Sequence, residues 1–589
     1  MGDGVDERSK RQPEYSTGHS EFERNEFGHG EFSRRELLTG AAAIAAGAVA
    51  SVAPRAALSA EKVAGDSRSG AATPPGTGTL PAGSQPGSGA PPGAGSDARP
   101  ASPLGGFNQP MRFEANVYDC EVIGKIPTDL AGAYVRVGPE WYFPAKYADD
   151  GIIDGDGFIN LFRFKDGRVD YRSRWVKTPR WENDRQAHRQ LYGKYRNPFT
   201  DDPSIQAQTI ANPSLRTTAN THTLAFAGNL FAIKEDSLPY RMDPKTLETL
   251  GPWDFNAKYT SQTFSAHNKI DPVSGELLAY GYEATGLCSP DLFVYTIDKT
   301  GRVTSERRLK VPQVTMIHDM AATERHFIFP CGPYVTSLEW LKAGNLHWGW
   351  DETRPSMIGI LPRDGSAKDL RWFKGPPRAM VHILNAKTEG NTVTLYAAFF
   401  DGAFFPFFKS VQGKPWDPAG ARARIRKYTF NLASKRDAYE EELLWETPVQ
   451  DIGRIDTRFM TLPNRYAFTA YNDPARPFDA ARAGVPNNGR VMNCYCRFDL
   501  ETRRIDSYFA GPTHNLGESC FVPRRGTRAV EGDGYLIGVA SNLAEMRSEL
   551  VIADAQHLGD GDVARVILPF RSSSLHGLWI GDDEIDFGA

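Results

Sequence analysis

The sequence predicts one large all-β domain. Three observations lead there. Short apolar or alternating runs rich in Val, Ile, Phe, Tyr and Thr recur along residues 107–589, and these residue types favour pleated surfaces. The runs are separated by a repeating turn chemistry of Asp, Pro and Gly. Helical periodicity of useful length is scarce, with Arg180–Tyr192 one short candidate.

In chain order the expected strands include Gly157–Phe164, Thr223–Ile233, Leu277–Glu283, Leu292–Ile297, Thr392–Phe399, Arg465–Ala470, Tyr535–Ala540 and Glu549–Asp554. The hairpin loops between such runs read Lys165-Asp166-Gly167-Arg168, Asp243-Pro244-Lys245-Thr246, Asp271-Pro272-Val273-Ser274-Gly275 and Asp298-Lys299-Thr300-Gly301. So many hairpins need an arrangement that hides sheet edges. A propeller does this by radial repetition of four-stranded blades, and a large sandwich array is the competing architecture. No WD or kelch period is present, so the pattern alone does not fix a blade number.

Composition narrows the function. Lys and Arg total 68 against 72 Asp and Glu, a net charge of -4. That balance argues against nucleic-acid binding, which needs a basic face. Six cysteines in 589 residues are no disulfide framework. Cys494 and Cys496 form a lone C-x-C with no second pair to complete a zinc site, and the thiols are expected to be buried.

Residues 1–60 read as a twin-arginine export signal with a long polar leader. Arg34-Arg35 precede an Ala-rich run from Thr39 to Ala57, and Ala48-Val49-Ala50 is a small-residue cleavage site. Gly40, Gly47 and Pro54 make the run a poor permanent membrane span. A periplasmic location is expected. Residues 61–106, dense in Gly, Pro, Ser and Ala, read as a linker, and 107–589 as the globular domain.

Histidine carries the chemical signal. His267, His318, His382 and His576 each lie beside apolar residues at an expected strand edge, where an imidazole is costly without a partner. They are too far apart in sequence for a local finger, but could converge if each came from the inner strand of a different blade. The other histidines are read as ordinary hydrogen-bonded side chains.

The chain resembles the carotenoid cleavage oxygenase superfamily, most closely its bacterial lignostilbene-cleaving branch, from about Phe113 to Trp579. The matching motifs come in series: Gly132-Ala133-Tyr134-Val135-Arg136-Val137-Gly138-Pro139, Asp154-Gly155-Asp156-Gly157-Phe158, Tyr195-Arg196-Asn197-Pro198-Phe199, Ala232-Ile233-Lys234-Glu235-Asp236, Gly517-Glu518-Ser519 and the His576 segment. The resemblance implies a seven-bladed propeller, capped by loops and short helices, with non-haem Fe(II) on its axis held by His267, His318, His382 and His576. Imidazole also suits Zn, Cu and Ni, so iron follows from the likeness and not from the ligand set.

The resemblance further implies three carboxylates behind the ligand imidazoles. These are Glu235, Glu518 and Asp451, the last in Asp451-Ile452-Gly453-Arg454-Ile455-Asp456 where the family has Glu-Phe-Pro-Arg-Ile-Asp. Aspartate is one methylene shorter, so a bridging water or a backbone shift is needed to restore contact. Tyr195 and Lys234 match the positions that bind the 4-hydroxyl of a phenyl ring. The lysine would lower the phenol's pKa, and the tyrosine hydroxyl would share or relay the proton. Adjacent strand residues face opposite ways, so Lys234 and Glu235 can both serve the centre only at a strand end or bend.

The expected reaction is O2-dependent cleavage of the conjugated C=C bond of a hydroxystilbene or phenylpropene to aldehydes. A carotenoid or apocarotenoid on the same site is the alternative substrate. A non-catalytic binding propeller and a zinc- or calcium-dependent hydrolase are the rivals from other classes. The run Phe399-Phe400-Asp401-Gly402-Ala403-Phe404-Phe405-Pro406-Phe407-Phe408 is read first as core, and otherwise as a tunnel wall or a peripheral membrane contact.

Overall fold

A computed structural model describes residues 107, 109–486, 491–526, 530–572 and 575–588. The expected export signal and linker lie outside the described residues. The rest is a seven-bladed β-propeller. The expected turns all appear; Lys165-Asp166-Gly167-Arg168 reverses through positive φ at Asp166 and Gly167, and the other three share one local chemistry. Asp243 Oδ1 accepts from the amides of Lys245 and Thr246 at 2.8 and 2.9 Å. Asp271 Oδ1 does so from Val273 and Ser274 at 2.9 and 3.2 Å, and Asp298 Oδ1 from Thr300 at 3.0 Å. These Asx turns tighten each hairpin without help from the rest of the fold.

Successive sheets run in chain order. The second comprises His222–Phe226, Asn229–Ile233, Tyr240–Met242 and Thr249–Pro252. The expected single strand Thr223–Ile233 is therefore a hairpin, because Ala227 and Gly228 both adopt positive φ and reverse the chain. The third opens at Lys269–Ile270, the fourth at Ala321–Ala322 and the fifth at Ile383–Glu389. The sixth comprises Tyr466–Tyr471, Cys494–Asp499 and Ile505–Phe509. The seventh opens at His514–Pro523.

The termini close the ring. In the first blade, the C-terminal strand His576–Gly581 pairs with Gly132–Glu140, Val137 lying opposite His576. In the last blade, Glu121–Gly124 adds to Asp562–Ile567. Each end of the domain thus completes a sheet begun by the other, which leaves no seam of unpaired backbone between first and last blades.

Strands in the middle of a blade pack on a neighbouring blade from both faces. Leu277–Tyr282 and Gly534–Asn542 are buried at every position, so they read as continuous apolar runs instead of alternating ones. The short expected helix is Pro179–Ala187, capped by Thr178 Oγ1 and ended by His188 in the left-handed conformation. Five of the six cysteines are buried and all six are free.

Candidate metal centre

Four of the blades begin with a histidine. His267 stands two residues before Lys269–Ile270, His318 three before Ala321–Ala322, His382 one before Ile383–Glu389, and His576 is the first residue of His576–Gly581. Entry to the first strand of a blade is where the backbone comes closest to the axis. The four imidazoles therefore meet, with one ligand nitrogen of each lying within 4.8 Å of all the others. Nε2 of His318 is 3.0 Å from Nε2 of His267 and 3.2 Å from Nε2 of His382.

The other three blades supply carboxylates. Glu235, just past the strand Asn229–Ile233, places Oε1 3.1 Å from His318 Nδ1. Asp451, ahead of the sixth blade, places Oδ2 2.6 Å from His382 Nδ1. Glu518, at a register shift in His514–Pro523, places Oε1 3.0 Å from His576 Nδ1. The shorter Asp451 makes direct contact with no water between. His267 has no carboxylate partner among the described residues.

These contacts fix which nitrogen faces inward. A carboxylate at Nδ1 holds the proton there and leaves the Nε2 lone pair pointing at the axis. His576 Nε2 is buried and has no partner. Burial, reinforced by the neighbouring imidazoles, keeps His267 and His576 well below the usual histidine range. Burial also works against protonation of His318, but Glu235 outweighs it and raises that group. Nitrogens this close must share either protons or a cation. A divalent ion bound by imidazoles satisfies all four lone pairs at once, so the residues fit a metal.

Burial opposes ionisation of Glu235, yet His318 and Arg196 hold its carboxyl down at about 2. Glu235 also accepts from Tyr282 Oη at 3.4 Å, and that hydroxyl accepts from Arg196 at 3.0 Å. Arg196 is in turn paired with Glu283 at 2.7 Å, and Glu283 with His347 at 3.0 Å. A chain of buried polar groups thus runs from the metal-facing cluster back into the cap.

Against the cluster lies a cavity lined by His318, His382, His576, Glu235 and Asp451, and by Ile153, Met316, Val381, Phe404, Phe405, Phe408 and Ile452. The aromatic run divides its duties. Phe399 and Phe400 are core, whereas Phe404, Phe405 and Phe408 form the cavity wall. The loop carrying them is pinned by Tyr334 Oη, which accepts from the amides of Phe404 and Phe405 at 2.7 and 3.0 Å.

Tyr195 and Lys234 line the same cavity. Lys234 follows the last residue of Asn229–Ile233, so the chain has left the sheet and the residue shares the cavity with Glu235. Its ammonium is 5.1 Å from the Tyr195 ring centroid. It is fully partnered, by Asp154 at 3.2 Å, Thr218 Oγ1 at 3.1 Å and Asp236 at 3.3 Å. The structure therefore sets the lysine over the tyrosine ring and not on its hydroxyl. Burial, and then the charge of Glu235, lift the Tyr195 phenol well above its ordinary range, so it stays protonated and can donate.

Two residues of this centre were given no role from the sequence. His222 stacks on His576 with ring centroids 5.3 Å apart and meets His267 edge-on at 5.4 Å. It is no fifth inward-facing group, because both its nitrogens are used. Nδ1 bonds Thr223 O, and Nε2 accepts from Arg454 at 2.8 Å. Arg454 also pairs with Glu518 at 2.7 Å. Only the ring closure of the propeller brings these three together.

The family model described as retinal pigment epithelial membrane protein, RPE65, matches residues 108–581. Lignostilbene-alpha,beta-dioxygenase isozyme III of Sphingomonas paucimobilis is 39% identical over 492 residues, 83% of this chain and 99% of that protein. Isoeugenol monooxygenase of Pseudomonas putida is 40% identical over 478 residues, 81% of this chain and 97% of that protein. The crystal structure of Pseudomonas brassicacearum lignostilbene dioxygenase superposes with a TM-score of 0.77 at 36% identity, covering 82% of this chain and 98% of that one. With the four-histidine centre and seven blades already in place, these matches establish that the chain belongs to the RPE65/carotenoid cleavage oxygenase family of oxidoreductases.

Proposed function

We propose that this protein is an Fe(II)-dependent oxygenase that cleaves the conjugated C=C bond of a 4-hydroxyphenyl alkene, of hydroxystilbene or phenylpropene type, to aldehydes. One observation carries the reading. A single cavity holds a polar pair, Tyr195 and Lys234, together with the metal-facing histidines and a wall of Phe404, Phe405 and Phe408. A ligand with a phenol at one end and an alkene at the other matches that division. The relatives named for lignostilbene and isoeugenol support the same class.

His267, His318, His382 and His576 would hold the iron, with Glu235, Asp451 and Glu518 fixing three of the rings. Iron supplies the activation of O2. The protein's own part is to bind, orient and polarise. Tyr195 Oη, protonated and with no hydrogen bond to another described residue, donates to the substrate's 4-oxygen. The Lys234 ammonium is nearby but shared between Asp154 and Asp236, so the hydrogen bond from Tyr195 is what favours the phenolate. The phenolate's electron density spreads through the ring into the conjugated alkene and makes it the electron-rich partner that O2 chemistry needs. The phenylalanine wall packs on the ligand's faces and excludes water.

The Arg34-Arg35 segment and the Ala-rich run behind it support export of the folded protein to the periplasm.

The deciding experiment incubates iron-loaded protein aerobically with 4-hydroxystilbenes, isoeugenol, their 4-methoxy analogues and apocarotenals, and reads product masses. Aldehydes from the 4-hydroxy compounds alone are expected, with none formed anaerobically. Equal turnover of the methoxy analogues, or cleavage confined to apocarotenals, would overturn the proposal.

A further inference from the structure

Five arginines are buried in the described structure: Arg136, Arg180, Arg196, Arg216 and Arg426. Four have a carboxylate at contact distance. Arg180 meets Asp154 at 2.8 Å, Arg196 meets Glu283 at 2.7 Å, Arg216 meets Asp201 at 3.0 Å, and Arg426 meets Asp401 at 2.7 Å. This is the ordinary solution, because a buried charge is costly unless paired and hydrogen-bonded. Arg136 departs from it. It is 0% exposed, and Nε and both terminal nitrogens lack any hydrogen-bond partner.

The surroundings explain why no protein group answers it. Arg136 stands opposite Gly577 and Asn160 in the first blade, on the face that packs against the last blade. Its Cζ is 5.5 Å from the ring centroid of Tyr134, whose hydroxyl is also buried and unpartnered. Burial lifts the Tyr134 phenol far above its ordinary range, so it too presents a proton. Glu518 is committed elsewhere, with Oε1 on His576 and Arg454 and Oε2 accepting from Gly577 N at 2.9 Å. The neighbouring side chains Tyr171 and Cys520, and the amide of Asn160 opposite, are uncharged. Two donors and a full positive charge therefore meet no carboxylate of their own among the described residues.

We propose that the space between the first and last blades around Arg136 and Tyr134 binds a monovalent inorganic anion of halide size. Such an ion is acceptor-only and negative, and so answers the guanidinium and the phenol together. Water would satisfy the hydrogen bonds and leave the charge. The site lies at the seam where His576–Gly581 completes the first blade, so the anion ties the two blades across the closure of the ring. The proposal stands apart from the choice of metal or substrate.

The test has two arms on the metal-loaded protein. Crystals grown with bromide in place of chloride should give an anomalous peak within hydrogen-bonding reach of Arg136 and Tyr134 Oη. In solution, replacing gluconate by bromide at constant ionic strength should raise the melting temperature of the wild type by about 2 °C or more, through binding to the folded state alone. Arg136→Met should show no such rise, and Arg136→Lys, which keeps the charge, should retain part of it. If Arg136→Met does not fold, the wild-type arms still decide. Water without an anomalous peak beside the guanidinium would overturn the proposal, as would equal melting temperatures in the two salts together with no peak.

Discussion

The Asp451 carboxylate lies 2.6 Å from His382 Nδ1, although its side chain is a methylene shorter than the glutamate the family pattern carries there. The backbone makes up the difference. Gln450 N bonds Ala470 O at 2.8 Å and Arg454 N bonds Phe468 O at 2.7 Å, so both ends of the segment are stitched to Tyr466–Tyr471. Between them Gly453 N folds back to Asp451 O at 2.9 Å. The three residues between the stitches, opposite Thr469 alone, form a bulge on which Asp451 meets His382.

Removing this carboxylate should loosen the metal. Asp451→Ala is expected to lower metal affinity by about 10–100-fold, the usual cost of losing a partner behind a ligand histidine. Competition against a chromophoric chelator measures it. Unchanged affinity would mean His382 needs no such support.

Gly453 makes the bulge possible, because a Cβ there would collide with Leu384 Cδ2. Leu384 is itself buried and two residues from His382. Gly453→Ala should therefore weaken metal retention, and the double variant with Leu384→Ala should recover it. The same chelator assay reads both. Failure of the second change to rescue would place the glycine's role elsewhere.

Tyr195→Phe deletes the hydroxyl proposed to meet the phenol oxygen and leaves the ring packed on Phe408 at 5.7 Å. The expected loss is about 10–100-fold in kcat/KM on 4-hydroxy substrates, the range for a hydrogen bond to a charged group. Lys234→Met should lower stability as well as activity, since it takes from Asp236 its cationic partner and leaves Asp154 to Arg180 alone. Thermal melts separate the two effects.

Asp184 gives a pH signature remote from the metal. Burial pushes its carboxyl from 3.8 to about 7, against the pull of Arg180. Between those values the folded state keeps a proton that the unfolded state has lost. The group's contribution to stability therefore falls as pH rises from about 4 to about 7, and is constant above. Asp184→Asn keeps an oxygen for Leu191 N, now bonded at 2.7 Å, and removes the titration. The melting temperature of the variant relative to wild type should rise across that window. A flat difference would mean Asp184 is ionised throughout.

The sequence by itself determined everything that depends on a few adjacent residues. Asp243, Asp271 and Asp298 close their turns with their own side chains, and the apolar runs between them become strands wherever they are placed. The family resemblance carried by the ordered motifs singled out His267, His318, His382 and His576, which their local contexts alone did not. The tertiary structure decided what depends on how seven blades meet around an axis. It gave Asp451 its reach, bound His222 and Arg454 to the back of the centre, and tied Lys234 to Asp154 and Asp236. It also split one aromatic run into core and cavity wall, and left Arg136 without a carboxylate. Those outcomes rest on contacts between segments hundreds of residues apart. Their distances are set by ring closure and inter-blade packing, which no local pattern encodes.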